Sequence, residues 1–546
     1  MQRGGGFRRM GVKVGLGARD FLFGRPTLAL RTHSVHRANS VSRSSVATVA
    51  NTDWRADARR WIEWDPNQET RHEVASVLES GDTAALERLL GQTLKFGTAG
   101  IRGPMGAGTG SMNELTILQT SQGLCVYLED TFGLAELQSR GVCVGYDHRQ
   151  RSTLHSEGFA LLAAAVFLER GVRVQLYDGT VATPLVPWAV DRAKHAAGIM
   201  ITASHNPGHD NGYKVYWETG SQIVPPHDAG IARCIGENLK PWTVYNPQSV
   251  RSNPLCCDNT DILADSYFKA LGQSLCYRRE TNRTQTSPFA VYTAMHGVGA
   301  PWAARALSAF DLPAFITTDQ QHDPDPDFPT VDFPNPEEPA GLALAQNKAD
   351  QVGVDLVLAN DPDADRLAVS ERGSDGQWRT FTGDEIGALL AHWQWTQWRR
   401  QNPDASSSNV YMLASTVSSS ILGEMARQEG FVFEETLTGF KWMGQRAADL
   451  RENGSTVLFA YEEAIGFCVG DLLKDKDGLS ALACFAEMTL ALTHDRAESS
   501  NSAGHTPGII AQCLDSVIYA RYGHWVSENG SVRLTVAQAR CQNQHV

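Results

Sequence analysis

Several short stretches of the 546-residue chain gather residue types that chemistry needs. In the first, Thr202-Ala203-Ser204-His205-Asn206-Pro207 is followed by Asn211-Gly212-Tyr213-Lys214, which sets a serine beside a histidine with a lysine close behind. A hydroxyl next to a base is how a serine nucleophile is built. Ser and Asn also cap helices and make turns, so residue types alone leave both readings open. The second stretch, Asn360-Asp361-Pro362-Asp363-Ala364-Asp365-Arg366, carries carboxylates at alternate positions, and on an extended segment such side chains share a face. Three converging carboxylates repel unless a cation neutralises them, and an oxygen-only set suits Mg²⁺. A solvated acidic turn is the alternative, and it fits the run Asp323-Pro324-Asp325-Pro326-Asp327. The Asp361 set differs because an apolar run, VDLVLA, leads straight into it. A third stretch, Phe96-Gly97-Thr98-Ala99-Gly100-Ile101-Arg102-Gly103, has small residues that let backbone N–H groups approach an anion, and Arg102 can fork onto phosphate oxygens. Last, Thr438-Gly439-Phe440-Lys441, Tyr461-Glu462-Glu463-Ala464 and Lys474-Asp475-Lys476-Asp477-Gly478 place polar groups after predicted strands, where a ligand is gripped.

These residues need a scaffold, and the hydrophobic pattern supplies one. Apolar strands at 141–146, 172–177 and 197–202 alternate with helices at 156–169 and 185–194. The alternation recurs with strands 289–294, 314–317 and 355–359 and helices 301–310 and 340–352. A third round has strands 410–414 and 456–460 with helices 385–400 and 419–428. Strand–helix alternation predicts parallel strands covered by helices. The expected organisation is α/β, with consecutive domains at 51–258, 259–375 and 376–520 and a tail at 521–546. Residues 241–258 read as a linker between the first two domains, and the turn at 371–377 as the junction of the second and third.

Composition sets outer bounds. With 42% apolar residues, 49 Gly and 23 Pro, the chain is neither disordered throughout nor collagenous. The longest apolar run, 159–168, is too short to span a bilayer, so no membrane partner is expected. The net charge is −13, but residues 1–50 hold eight Arg and one Lys against a single acid, leaving an acidic body. That argues against a nucleic-acid partner and leaves room for a small phosphorylated substrate. Residues 1–50 read as a transit-like or disordered extension or a misplaced start. Ten Cys without CxxC spacing read as reduced thiols.

Taken together the motifs resemble the α-D-phosphohexomutases, in particular their eukaryotic phosphoglucomutase/phosphopentomutase branch, which includes a glucose-1,6-bisphosphate synthase. The matching pieces, in the family's order over roughly residues 54–530, are FGTAGIRG, TASHNPGHDNGYKVY, TAMHGVG (293–299), FPTVDFPNPEEP (328–339), DPDADR, TLTGFKWMG and YEEAIG. The resemblance implies α/β domains with mixed sheets around a cleft. By the family's pattern Ser204 is a phosphoserine that binds Mg²⁺ together with Asp361, Asp363 and Asp365. His205 and Lys214 stand where a proton shuttle is needed, and Arg102 steadies the transferring phosphoryl group. Thr98 and Arg366 help fix phosphate; Thr438, Gly439, Glu462 and Lys476 match the sugar-binding positions.

The implied activity is that of a phosphopentomutase/phosphoglucomutase. It interconverts sugar 1-phosphates with ribose 5-phosphate or glucose 6-phosphate through a sugar bisphosphate, with a 1,6- or 1,5-bisphosphate as activator. Small phosphosugars are the expected partners of a monomer in the cytoplasm, or in an organelle if the basic extension is a signal. Two departures stand out. Ala464 occupies a position where hexose-specific relatives carry Ser, which removes one hydroxyl contact to the sugar. The family's fourth domain carries a Ser/Thr-rich phosphate clamp with no counterpart here, so the expectation is three domains with the fourth missing. Alternatives to an active mutase are therefore a glucose-1,6-bisphosphate synthase, a truncated product that binds sugar phosphate without catalysis, or a phosphatase-like hydrolase.

Overall fold

Three α/β sheets, each with its own return strand, organise the chain into three successive modules in the computed structural model, which describes residues 53–500 and 507–525. The extension at 1–50 and residues 526–546 of the tail lie outside the described residues.

Ahead of the sheets come three helices, Trp54–Trp64, Gln68–Ser80 and Thr83–Leu90. Each starts at a side-chain cap, from Asp53, Asn67 and Asp82, whose carboxylate or amide oxygen accepts the first free N–H groups. Their apolar faces, with Ala58, Trp61, Val74 and Leu86, close a small core against Ala107 and Leu115.

The first sheet contains β1 (Ile101–Pro104), β2 (Val142–Tyr146), β5 (Val174–Leu176), β6 (Ala197–Ile201), β7 (Asp210–Trp217) and β8 (Cys256–Cys257) in the order β1-β7-β6-β2-β5-β8. A hairpin of β3 (Gln150–Arg151) and β4 (Leu154–His155) stands apart. β2 and β6 are buried at every position, as a parallel strand covered on both faces must be. The second sheet is β10-β9-β11-β12-β13, from β9 (Val291–Thr293), β10 (Ile316–Thr317), β11 (Leu356–Ala359), β12 (Ala368–Arg372) and β13 (Trp378–Thr380). The third is β15-β14-β16-β17, from β14 (Val410–Ser415), β15 (Val432–Thr436), β16 (Thr456–Glu462) and β17 (Gly466–Val469).

All three sheets are mixed, as expected. In each, a parallel strand turns back through a short loop into an antiparallel neighbour: β6 into β7, β11 into β12, β16 into β17. Each of these loops holds one non-glycine residue in the left-handed region, Ser204 (φ 54°), Ala364 (φ 58°) and Ile465 (φ 51°). The same device is used three times.

Two expectations differ in detail. Part of the 241–258 linker is sheet, because Cys256 and Cys257 pair in parallel with Val174 and Gln175 at the exposed edge. The turn at 371–377 does not join two domains; it is a hairpin inside the second sheet, where Ser370–Arg372 pair with Trp378–Thr380. Gly373 N–H donates to the Gln377 carbonyl and Gln377 N–H to Asp375 Oδ1, which closes that hairpin. The C-terminal helical segment, beginning at Ile509–Cys513, is tied to β12 by Glu371, whose carboxylate accepts from Ile510 and Ala511 N–H at 2.8 and 2.9 Å. Its far end reaches the third sheet's layer, where Tyr522 Oη donates to Glu429 at 2.6 Å. The nine cysteines among the described residues are free, and no described helix is long and apolar enough to cross a membrane.

Candidate active site

The loop after β6 presents Ser204 just beyond the carboxyl end of a parallel strand, where open α/β sheets bind ligands. Its hydroxyl donates to Asp361 Oδ2 at 2.8 Å, although the two residues belong to different sheets. The His205 Nδ1 lies 3.3 Å from Ser204 Oγ. Burial, helped by Arg366 and Arg102, pulls the His205 pKa down to about 3, so the ring is neutral at physiological pH.

Asp361, Asp363 and Asp365 follow β11 and are all buried, with one carboxylate oxygen of each within 4.8 Å of the others. Asp363 Oδ2 accepts from Lys214 Nζ at 2.7 Å and from Thr183 Oγ1 at 2.7 Å. Asp365 Oδ2 accepts from Lys214 Nζ at 3.0 Å, and Lys476 Nζ stands 3.6 Å away. Burial and the two neighbouring carboxylates push the Asp361 pKa well up. Burial would raise Asp363 too, but the Lys214 ammonium and its hydrogen bonds outweigh it and hold the carboxyl below the usual range. The same two carboxylates keep Lys214 charged against its burial.

A divalent cation fits this arrangement. Asp363 Oδ1 and Asp365 Oδ1 are buried yet make no hydrogen bond, which is costly for an oxygen carrying charge unless a cation claims it. Hard oxygen ligands at this spacing suit Mg²⁺.

The remaining sequence-predicted residues frame the cluster. Arg366 donates its backbone N–H to Asp361 Oδ1 (3.0 Å) and Nη1 to the Ala464 carbonyl (3.2 Å), which links the second loop to the third. Glu462, at the end of β16, is buried and its pKa is raised by that burial, with Lys476 and Arg366 pulling the other way. Arg102 on β1 is exposed and donates to Asn206 Oδ1 at 3.0 Å, so its guanidinium hangs over the Ser204 loop. Thr98 makes no contact with the carboxylate cluster; its hydroxyl accepts from Lys441 Nζ, so the first and third modules touch there. Gly439, at φ 106°, allows the sharp entry into helix Phe440–Glu452, while Thr438 beside it is exposed.

Two contributors were not singled out by sequence reasoning. Thr183 holds Asp363 through its hydroxyl and also through its N–H, which donates to the Asp363 carbonyl at 2.9 Å. Lys441 was visible only as part of a stretch; its position at a helix start after a strand was the available signal. Phe333 is a third neighbour, meeting the His205 ring edge-on at 5.8 Å.

The chain matches the phosphoglucomutase/phosphomannomutase α/β/α domain I over residues 93–241, domain II over 265–374 and domain III over 382–503. It is 46% identical over 476 residues to a mouse phosphopentomutase, covering 86% of this chain and 74% of that protein. It is 44% identical over 474 residues to a human glucose 1,6-bisphosphate synthase, with the same coverage of 86% and 74%. A crystal structure of a phosphoglucomutase/phosphomannomutase family protein from Burkholderia thailandensis superposes with a TM-score of 0.56 at 20% identity, over 73% of this chain and 76% of that one, and so shares the fold. With three family domains in order and relatives of this similarity, the chain belongs to the phosphoglucomutase/phosphomannomutase family of the α-D-phosphohexomutase superfamily.

Proposed function

We propose that this protein is a phosphosugar mutase that moves a phosphoryl group between the anomeric and terminal hydroxyls of an aldose phosphate, with Ser204 as the carrier. The observation that carries the reading is the 2.8 Å contact between Ser204 Oγ and Asp361 within a buried carboxylate triad. The names of its relatives, phosphopentomutase and glucose 1,6-bisphosphate synthase, point the same way.

Phosphoserine 204 passes its phosphoryl group to the free hydroxyl of a sugar monophosphate; the P–O bond to serine breaks as the bond to the sugar forms. The bisphosphate then reorients and returns its other phosphoryl group to Ser204. Neutral His205, with Nδ1 3.3 Å from Ser204 Oγ, can take a proton on its unprotonated ring nitrogen, and Lys214 keeps a proton to give, so proton traffic runs in both directions. Arg102, Thr98 and Arg366 hold phosphate oxygens. Glu462 accepts sugar hydroxyls, and Thr438, Gly439 and Lys476 line the sugar's side. Ser204, Asp361, Asp363 and Asp365 would hold Mg²⁺, which would supply the charge neutralisation that phosphoryl transfer requires. The unpaired described thiols favour a reducing compartment such as the cytoplasm.

The direct test is a coupled assay of ribose 1-phosphate conversion to ribose 5-phosphate with a catalytic amount of sugar bisphosphate. Steady conversion supports the mutase; accumulation of the free bisphosphate as the main product points instead to a bisphosphate synthase. Asp363→Asn is expected to weaken Mn²⁺ binding, measured by titration calorimetry, by at least about 100-fold, the upper range for the partners of metal ligands. Unchanged Mn²⁺ affinity in that variant refutes the metal assignment.

Sugar preference is expected to depend on Ala464. Glu462 accepts hydroxyl donors while Ala464 offers none, so pentose 1-phosphate is handled at least as well as hexose 1-phosphate. Ala464→Ser adds one neutral hydrogen bond, worth about 0.5–1.5 kcal/mol, and is expected to move the hexose-to-pentose ratio of kcat/KM several-fold toward hexose. A ratio that does not move contradicts this account.

A further inference from the structure

Beneath the Ser204 loop sits a charged residue that the mechanism above does not use. Arg149 follows β2 and is fully buried. Its guanidinium donates to four backbone carbonyls, three from the loop between β6 and β7 and one from Asp210, the first residue of β7. Nη1 reaches Pro207 at 2.7 Å and Asp210 at 3.0 Å; Nη2 reaches Ser204 at 2.6 Å and Asn206 at 2.7 Å. Asp147 balances the charge, with Oδ2 at 3.2 Å from Nε. The other Asp147 oxygen accepts from Arg149 N–H at 3.0 Å and from Ser156 Oγ at 2.6 Å. Ser156 Oγ in turn accepts from Asn211 Nδ2 at 2.9 Å, which returns to the end of the same loop.

The loop needs such a hold. Ser204 lies at φ 54°, a conformation that side chains with a Cβ rarely adopt; its N–H donates to Thr202 Oγ1 at 2.9 Å, and the Arg149 fork adds to that one local bond. The bond from Nη2 to the Ser204 carbonyl fixes the peptide plane that follows the nucleophile. That plane helps fix the Ser204 backbone from which χ1 aims Oγ. A planar fork with donors on both terminal nitrogens can satisfy four carbonyls at once; a lysine ammonium, a single point with three donors, cannot.

The second module closes the arrangement. Phe328 is buried, with its ring centroid 5.3 Å from the Arg149 guanidinium and 5.2 Å from the His148 ring. A Cβ built on Gly208 would meet the Phe328 ring at 2.9 Å, so loop and phenylalanine pack without slack.

We propose that Arg149 is a positioning residue for phosphoryl transfer, holding the loop in the one conformation that directs Ser204 Oγ at Asp361, and that Phe328 makes this hold depend on docking of the second module. The catalytic half of the proposal rests on the mutase reading; the hold on the loop does not. Arg149 makes no hydrogen bond to the carboxylate triad, so its loss falls on kcat and on loop order more than on KM.

The experiment pairs kinetics with hydrogen exchange, read by mass spectrometry, on Arg149→Lys and Phe328→Leu. For Arg149→Lys, kcat is expected to fall about 30- to 100-fold, the range that a misplacement near 1 Å produces, with KM within about threefold. Peptides spanning 202–212 exchange faster, while peptides from the second and third sheets do not. Phe328→Leu shows the same pattern more weakly. A folded Arg149→Lys protein with unchanged loop exchange, or with its loss in KM, overturns the proposal. If that variant does not accumulate as folded protein, Phe328→Leu decides, and unchanged exchange at 202–212 overturns it. Faster loop exchange alongside an unaltered protein that lacks mutase activity sinks the mutase reading and the catalytic half, and sustains the hold on the loop.

Discussion

Ser204→Ala is expected to remove mutase turnover by at least about 10⁴-fold, the scale seen when a group that forms the covalent intermediate is deleted. The rest of the site stays in place, because Ser204 contributes only one side-chain donor to Asp361, and Asp361 keeps the Arg366 N–H on its other oxygen. The effect is therefore chemical. Without Oγ no phosphoryl group is carried, and a sugar monophosphate and its bisphosphate bind but do not exchange. Incubation with bisphosphate labelled in its phosphoryl groups should mark the peptide containing Ser204 in the unaltered protein and leave Ser204→Ala unmarked. Full labelling of the alanine variant, or turnover above about one part in a hundred, contradicts the assignment of Ser204 as carrier.

Lys214→Met acts differently, on the carboxylates. Lys214 donates to Asp363 and Asp365 from a buried position, and two aspartates cannot stay ionised there without it. Removing one partner of a buried ion pair costs about 3–5 kcal/mol, because the other charge is left uncompensated. The methionine is similar in length and apolar, so cavity formation adds little. The urea midpoint of metal-free protein should drop accordingly, and saturating Mg²⁺ should recover part of the loss, since a bound cation neutralises the same oxygens. Turnover falls as well, because the proton donor is gone. A variant that unfolds at the same urea concentration as the unaltered protein, with or without Mg²⁺, shows that Lys214 does not stabilise the triad.

The site was legible where chemistry and local pattern coincide. Ser204 and Asp361 each follow an apolar run that could only be a buried strand, so their place at a sheet's carboxyl edge could be read directly. The strand–helix alternation fixed the three sheets for the same reason. What stayed hidden depends on distant partners. Thr183, in an ordinary-looking VATPL turn, becomes significant only when Asp363 arrives from 180 residues away. Arg149 looks like a surface arginine until the loop wraps over it. β7 is absent from the expected strands, yet it pairs along all of β6. The hairpin at 373–377 misled for a similar reason: Gly, Ser and Asp mark a turn but not which elements it joins.

Ser204 and Asp361 are 157 residues apart and meet only when two sheets have docked. At about 5–20 residues per second, a ribosome needs roughly 8–30 s to add that length. Throughout that interval the nascent chain carries a serine without its carboxylates, and the three carboxylates in turn precede Glu462 and Lys476 of the third module. A half-made chain is thus inert toward the phosphosugars around it. Synthesis itself acts as a safety catch, released only after the last of the three return loops has folded into place.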